Sequence, residues 1–190
     1  RFSYKQLEHA TNNFGKKLGQ GGFGSVFLAT LKDGSQVAVK RLESSSQGQK
    51  EFKTEVNVIS SIHHFNLVRL RGFCAEKHHR LLVYEYMPRR SLDKWLFLRD
   101  FPSDGDHEKA GEALDWKTRL RIALGIARGL KYLHEDCSER ILHLDVKPQN
   151  VLLDSNFDAK LCDFGMSKLM KRNESEVFTM MRGTRGYLAP

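Results

Sequence analysis

The sequence predicts an α+β fold in two unequal parts: an antiparallel sheet with one helix laid against it, then a mainly helical part. Three observations predict it. Short β-rich runs occupy 17–86, and Asp33-Gly34, a strong hairpin dipeptide, separates Ser25–Leu31 from Gln36–Leu42. Pro88 cannot donate to a ladder and ends the sheet. Beyond it, apolar residues recur at helical spacing from Trp116 to His134. The boundaries that follow are a leader helix over 1–16, a sheet-bearing part over 17–87 and a helical part over 88–190.

Each element has its own signal. Ser3-Tyr4-Lys5-Gln6 is a capping-box pattern, and Tyr4, Leu7, Thr11 and Phe14 follow at helical spacing until Asn12-Asn13 and Gly15 end the segment. Three antiparallel strands fit between Lys17 and Leu42. Polar Ser44-Ser45-Ser46-Gln47-Gly48 leads into a helix over Lys50–Ile62 with the apolar stripe Phe52, Val56, Ile59 and Ile62. Strands at Leu67–Phe73 and Leu81–Tyr86 complete a five-stranded sheet. A short helix at Ser91–Phe97 precedes the long one over Trp116–His134, whose inward residues are read as Leu120, Ala123, Ala127, Leu130 and Leu133. Between them, 99–115 carries six acidic and two basic side chains with Pro102 and Gly105, the pattern of a solvated loop. Short strands at Ile141–Leu144, Val151–Leu153 and Ala159–Cys162 close the pattern.

Composition narrows the function classes. The 190 residues are 40% hydrophobic, enough for a globular core and too much for a disordered segment. No apolar run reaches the ~18 residues of a membrane span, and Arg1-Phe2-Ser3-Tyr4-Lys5 is no signal peptide. Three cysteines without metal-ligand spacing point to reduced thiols and the cytosolic side. The formal charge of +8 invites a nucleic-acid reading, but the positive residues form no basic tail or nucleic-acid module. They sit in part on the outer face of the long helix, at Arg119, Arg121, Arg128 and Lys131.

Gly19-Gln20-Gly21-Gly22-Phe23-Gly24 supplies spaced glycines whose backbone amides can approach phosphate without Cβ interference. Taken alone, a plain glycine turn is an equal reading. A dinucleotide-binding loop would need a following helix, whereas here a hairpin follows. Val37-Ala38-Val39-Lys40 shifts the balance, because alternation puts Ala38 and Lys40 on one strand face beneath the glycines. Glu55 falls between Ile59 and Ile62 on the helical wheel, inside the apolar stripe. A carboxylate aimed at the core requires a cation, and Lys40 is the candidate.

His143-Leu144-Asp145-Val146-Lys147-Pro148-Gln149-Asn150, followed by Asp163-Phe164-Gly165 and a final Ala189-Pro190, completes an ordered set. With the glycine loop, Val-Ala-Val-Lys and Glu55, it resembles the protein-kinase signature set in order and spacing. The texture between motifs resembles plant receptor-like kinases of the S-domain (G-type lectin) group. It is carried by Phe2 to Leu7, Ala10 to Phe14, Leu82-Val83-Tyr84-Glu85-Tyr86-Met87 and Gly183-Thr184-Arg185-Gly186-Tyr187-Leu188.

The resemblance implies a bilobal kinase-like fold, truncated within the Ala-Pro-Glu motif, that transfers the γ-phosphoryl group of ATP to Ser or Thr hydroxyls of proteins. Asp145 is then the catalytic base, Lys147 lies against the transferred phosphate, and Asn150 and Asp163 hold Mg²⁺. Lys40, held by Glu55, contacts the phosphates under Gly19, Gln20, Gly21, Gly22, Phe23 and Gly24. Val26, Ala38 and Leu152 sandwich adenine, Glu85 and Met87 form the hinge, and Tyr84 is the gatekeeper. Ile59, Leu70, His143 and Phe164 stack as an apolar spine. The implied location is the cytoplasmic side of the plasma membrane, reached through a transmembrane segment outside this chain, with no nucleic-acid partner.

A pseudokinase that only binds nucleotide is the rival, and it would lack an equivalent of Lys40, Asp145 or Asp163. Leu144 stands where most regulated kinases carry Arg, so dependence on loop phosphorylation is expected to be weak. Thr184 is expected to bond the catalytic residues, leaving Thr179 as the phosphosite. Cys162 is expected to line the cleft as a thiol that electrophiles reach. A chain ending at Pro190 is expected to fold weakly by itself.

Overall fold

The computed structural model describes residues 1–21, 24–97, 113–171 and 183–188. The expectations for Gly22, Phe23, most of the acidic 99–115 stretch, Thr179 and Ala189-Pro190 lie outside them.

The sheet has five strands in the order β1-β2-β3-β5-β4: β1 (Lys17–Gly21), β2 (Gly24–Thr30), β3 (Gln36–Leu42), β4 (Leu70–Glu76) and β5 (His79–Glu85). All neighbours pair antiparallel. The β2–β3 turn holds Gly34 at φ +80°, and Asp33 accepts bonds from Ser35 N and Oγ at 2.9 and 2.6 Å. Alternation divides β3 as expected: Val37 and Val39 are buried in one cluster with Ala29, Cys74, Leu81 and Val83, while Ala38 packs against the other.

The first cluster is sealed by the leader. Helix α1 (Tyr4–Ala10) starts on Ser3, whose Oγ accepts from Gln6 N while Gln6 Oε1 accepts from Ser3 N, a complete capping box. Leu7 is fully buried, Tyr4 stacks on His79 with centroids 3.7 Å apart, and Phe2 N donates to Phe73 O. Phe14 falls beyond the helix: Asn12, Asn13 and Phe14 all take positive φ.

The second cluster is the main core and runs unbroken between the lobes, from Leu42, Phe52, Val58 and Ile59 through Leu82 to Ile122, Leu133, Leu153, Leu161 and Phe164. Helix α2 (Ser46–Ile59) lies on the sheet with Phe52, Glu55, Val58 and Ile59 buried. Past Pro88 come α3 (Asp93–Leu96), α4 (Trp116–Lys131), a π turn at Tyr132–Asp136, and strands β6 (Arg140–Leu142), β7 (Val151–Leu153), β8 (Ala159–Leu161) and β9 (Lys168–Met170). β6 pairs with β9 and β7 with β8. None of the described helices is long and apolar enough to cross a membrane.

Three differences from the sequence reading have physical causes. Helix α4 turns a partly different face inward: Ile122, Gly125 and Gly129 are buried, the expected Leu130 and Leu133 are half-buried and buried against the core, and Leu120 is 48% exposed with Ala123 and Ala127 also exposed. The helix is apolar on both sides, and only the glycine side lets β8 and the turn after α2 approach its backbone. Leu67 and Val68 belong to no sheet strand; Val68 N donates to Leu161 O at 2.9 Å, drawing the start of the predicted 67–73 strand into the helical lobe and moving β4 to Leu70–Glu76. β9, which no period announced, exists because β6 offers it a ladder.

Candidate active site

Two clusters of polar side chains meet where β3, α2 and the turns after β6 and β8 converge. The first centres on Lys40, midway along β3. Its Nζ lies 2.9 Å from Glu55 Oε2 and 2.8 Å from Asp163 Oδ1. Register explains this: Lys40 pairs with Val26 and Leu82 and shares the face of Ala38, under which α2 lays Glu55. Glu55 is fully buried, and its second oxygen accepts from the Tyr84 hydroxyl. Burial alone would lower the lysine's pKa, but Glu55 and Asp163 more than offset it and hold Lys40 charged, above the ordinary range. Burial likewise pushes Asp163 up, yet Lys40 outweighs it and the net direction is down.

The second cluster is the loop from His143 to Asn150. Asp145 Oδ1 accepts from the Thr184 hydroxyl at 2.6 Å, and Oδ2 from Asn150 Nδ2 and Lys147 Nζ, each at 2.8 Å. Lys147 Nζ also donates to Thr184 Oγ1 at 2.6 Å. Asn150 Nδ2 also reaches the Asp145 carbonyl at 2.9 Å, so one side chain holds both the backbone and the carboxylate of Asp145.

The clusters are joined through the backbone of Cys162. Its N–H donates to Asn150 O at 3.0 Å, and its carbonyl lies 2.9 Å from His143 Nε2. A carbonyl only accepts, so Nε2 carries the proton and Nδ1 is free to accept from Asp145 N at 3.3 Å. Burial lowers His143, which favours this neutral tautomer. Leu144 and Asp163 both sit in the left-handed region, at φ +63° and +66°. Such conformations cost about 1–2 kcal/mol in a non-glycine residue. Here the cross-links on either side hold them.

A protein kinase domain model matches residues 12–190 of this chain. The chain belongs to the protein kinase family. It is 62% identical over 190 residues to a G-type lectin S-receptor-like serine/threonine-protein kinase of Arabidopsis thaliana, a match that takes in all of this chain and 22% of that protein. A second Arabidopsis protein of that description is 58% identical over 189 residues, again 22% of its length, and a probable receptor-like protein kinase is 50% identical over 194 residues, 42% of its length. The chain thus spans about a fifth of the lectin-receptor relatives and under half of the third.

Within this kinase domain, Gly19, Gln20 and Gly21 form the exposed end of β1, and Gln20 Oε1 accepts from Lys17 Nζ at 2.8 Å. Gly24 opens β2 where a Cβ would come within 2.4 Å of Arg41 O, so only glycine lets the strands close there. Val26, Ala38 and Leu152 are half-buried. Ser91 bridges to Leu152 and Arg89 N donates to Leu153 O, which places the segment after Glu85 and Met87 beside the β7 floor. Ile59, His143 and Phe164 are buried and Leu70 is half-buried, with the His143 and Phe164 rings 5.0 Å apart.

Two contacts and one buried carboxyl went unforeseen. The Tyr84 hydroxyl is spent on Glu55; β5 register puts Tyr84 opposite Ala38, on the Lys40 face, and that signal was available. Glu85 Oε1 lies 3.3 Å from Lys160 Nζ on β8. Glu51, one turn before Glu55 on the same helix face, is 3% exposed, with Oε1 unpartnered among the described residues. Cys162 is half-buried against the main core, and burial, reinforced by Asp163, pushes its thiol well up.

Burial pushes Glu51 up to about 7. A carboxyl raised above its unfolded value binds more protons in the folded state, so its contribution is full below the unfolded pKa near 4.5 and is lost as pH rises through about 7. Glu51→Gln is therefore expected to flatten the fall in stability between about pH 5 and pH 8, read from denaturant midpoints. A variant whose midpoints fall as steeply as those of the parent would refute this.

Proposed function

We propose that this chain is the catalytic module of an ATP-dependent protein serine/threonine kinase, the cytoplasmic part of a receptor-like protein at the plasma membrane. The observation that carries the reading is the Asp145 carboxylate, oriented by the side chains of Asn150, Lys147 and Thr184 and tied through Cys162 to the Lys40–Asp163 pair. The relatives' names supply the residue class.

Asp145 accepts the hydrogen of the substrate hydroxyl and aims its oxygen at phosphorus. Three donors orient the carboxylate, which suits a loose transition state in which the nucleophile needs alignment more than early deprotonation. Lys147, bonded to Asp145 and Thr184, is placed to meet negative charge on the moving phosphoryl group. Lys40 meets the α/β phosphates from beneath the glycine strands, its charge preserved by Glu55 and its direction by Tyr84 acting on Glu55. Val26, Ala38 and Leu152 offer the adenine ring an apolar slot, with Tyr84, Glu85 and Met87 at its edge.

The residues present also fit Mg²⁺. Asn150 spends Nδ2 on Asp145 and keeps its amide oxygen, while Asp163 spends Oδ1 on Lys40 and keeps Oδ2 on a side chain that is 38% exposed. Both are hard oxygen donors. When bound, Mg²⁺ offsets charge on the phosphate oxygens.

Phosphoamino-acid analysis after incubation with labelled ATP and a mixed peptide pool tests the reading. Phosphoserine and phosphothreonine, formed with Mg²⁺ and lost with a chelator, are expected. Phosphotyrosine as the main product, or transfer indifferent to chelation, would overturn it.

A further inference from the structure

Helix α1 and the turn between β2 and β3 enclose a groove of about 630 Å³. It lies on the side of the sheet that carries α1, opposite the face shared by Lys40, Ala38 and α2. Its floor is apolar, made by Phe2, Ala10 and Leu31. Its rim is basic: Lys5 and His9, four residues apart on α1, stand across from Lys32, just past β2. All three are exposed, and neither lysine has an acidic partner among the described residues. The carboxylate that lines the groove, Asp33, is already engaged by Ser35 N and Oγ.

The hydrogen-bonding capacity of the walls is spent. Strand β2 lies between β1 and β3, so neither of its edges is open. Thr30 pairs with Gln36, Leu31 N donates to Ser35 O, and Gln6 Oε1 accepts from Ser3 N. A peptide brings a donor and an acceptor with every residue and finds no ladder here. An amphiphile confines its polar demand to one headgroup and asks only for cations above an apolar floor. We propose that this groove seats an anionic phospholipid of a bilayer surface, its headgroup among Lys5, His9 and Lys32 and the start of its acyl chains against Phe2, Ala10 and Leu31. Seated so, the lobe holds the Lys40 face of the sheet away from the bilayer. The inference rests on the plasma-membrane location proposed above and not on phosphoryl transfer. Each lysine close to an anionic surface strengthens binding about five-fold, so the pair accounts for about 25-fold.

Sedimentation with vesicles tests this, with the thermal midpoint of each variant confirming that it is folded. The chain is expected to bind vesicles of equal parts phosphatidylcholine and phosphatidylserine, less so as salt rises, and to leave vesicles of phosphatidylcholine alone. Lys5→Gln combined with Lys32→Gln is expected to weaken partitioning about 25-fold. Lys50→Gln combined with Lys53→Gln makes the same change of charge on the exposed side of α2, across the sheet, and is expected to weaken it less than about two-fold. An environment-sensitive dye on Thr30→Cys, at the edge of the groove, is expected to shift to the blue on the anionic vesicles, and the same dye on Lys53→Cys to stay unchanged. Equal losses in the two lysine pairs, equal dye shifts at the two positions, or equal binding to phosphatidylcholine alone would overturn the proposal. So would equally tight binding of a soluble Glu-rich peptide through the same two lysines, which would give the groove to a protein partner. Vesicle binding needs no phosphoryl transfer, so its failure leaves the phosphoamino-acid result standing, and a failed kinase reading leaves vesicle binding untouched.

Discussion

Replacing Asp145 by Asn is expected to lower kcat by about 10²–10⁴-fold, the range associated with a positioned general base, with little change in the KM for ATP. The substitution preserves volume but places an NH₂ among donors. Asp145 Oδ2 receives Asn150 Nδ2 and Lys147 Nζ, each at 2.8 Å, and Oδ1 receives the Thr184 hydroxyl. An amide offers one accepting oxygen, so at least one of these donors loses its partner and the substrate hydroxyl has no anionic acceptor. ATP affinity should hold, because the Lys40–Glu55–Asp163 contacts do not pass through the Asp145 side chain. Steady-state kinetics separate the two constants. Equal phosphate transfer by parent and variant would defeat the assignment of Asp145 as base.

Replacing Lys40 by Met is expected to lower kcat/KM for ATP by about 10²–10³-fold, comparable to losing one preorganised electrostatic donor. The methionine fills the stem's volume, so the effect is one of charge. Without the ammonium, Glu55 keeps only the Tyr84 hydroxyl, and Asp163 loses the partner that holds its pKa down. Removing one partner of a buried pair costs about 3–5 kcal/mol when the remaining charge is trapped. Glu55 escapes part of that cost by protonation. Burial already pushes it up, and losing Lys40 pushes it further. A carboxyl whose folded pKa exceeds its unfolded value stabilises the fold at low pH and loses that contribution as pH rises through the folded value. The variant should therefore lie closest to the parent near about pH 5 and fall away toward about pH 8, as read from denaturant midpoints. A pH-independent deficit would show that Glu55 and Lys40 do not titrate as a coupled pair.

Much of this was legible in the residues because the signals were local. Ser3 and Gln6 cap α1, Asp33-Gly34 turns β2 into β3, and alternation along Val37-Ala38-Val39-Lys40 predicts which side chains share a face. Glu55 could be aimed at Lys40 because a carboxylate inside an apolar stripe has few alternatives. Long-range contacts were harder. Which apolar residues in the first half of α4 turn inward was misread because Leu120, Ala123 and Ala127 compete there with Ile122, and the decision fell to two glycines whose value lies in having no side chain. β9 has no period of its own and forms only against β6. Cys162 stands beside Asp163 in the sequence, but only its surroundings show that burial pushes its thiol up. Glu51 carries no signal of its own in the sequence and is buried because the turn holding Gly165 closes over it, where a Cβ would lie 3.4 Å from its Cβ and Cγ.

The sequence by itself determined the element order as far as β8, the antiparallel sheet, the residue types gathered at the candidate site and, through ordered motifs, membership of the kinase family. Each of these depends on residue type and spacing along the chain, which short-range sterics, hydrogen-bonding capacity and hydrophobic period translate directly. The tertiary structure alone decided how those residues are wired: Tyr84 onto Glu55, Asn150 onto both the backbone and the carboxylate of Asp145, and Cys162 as the backbone tie between the two clusters. Those contacts join residues far apart in the chain, and their distances follow from close packing in a core shared by both lobes, where a methyl group too many on Gly125 or Gly129 has nowhere to go.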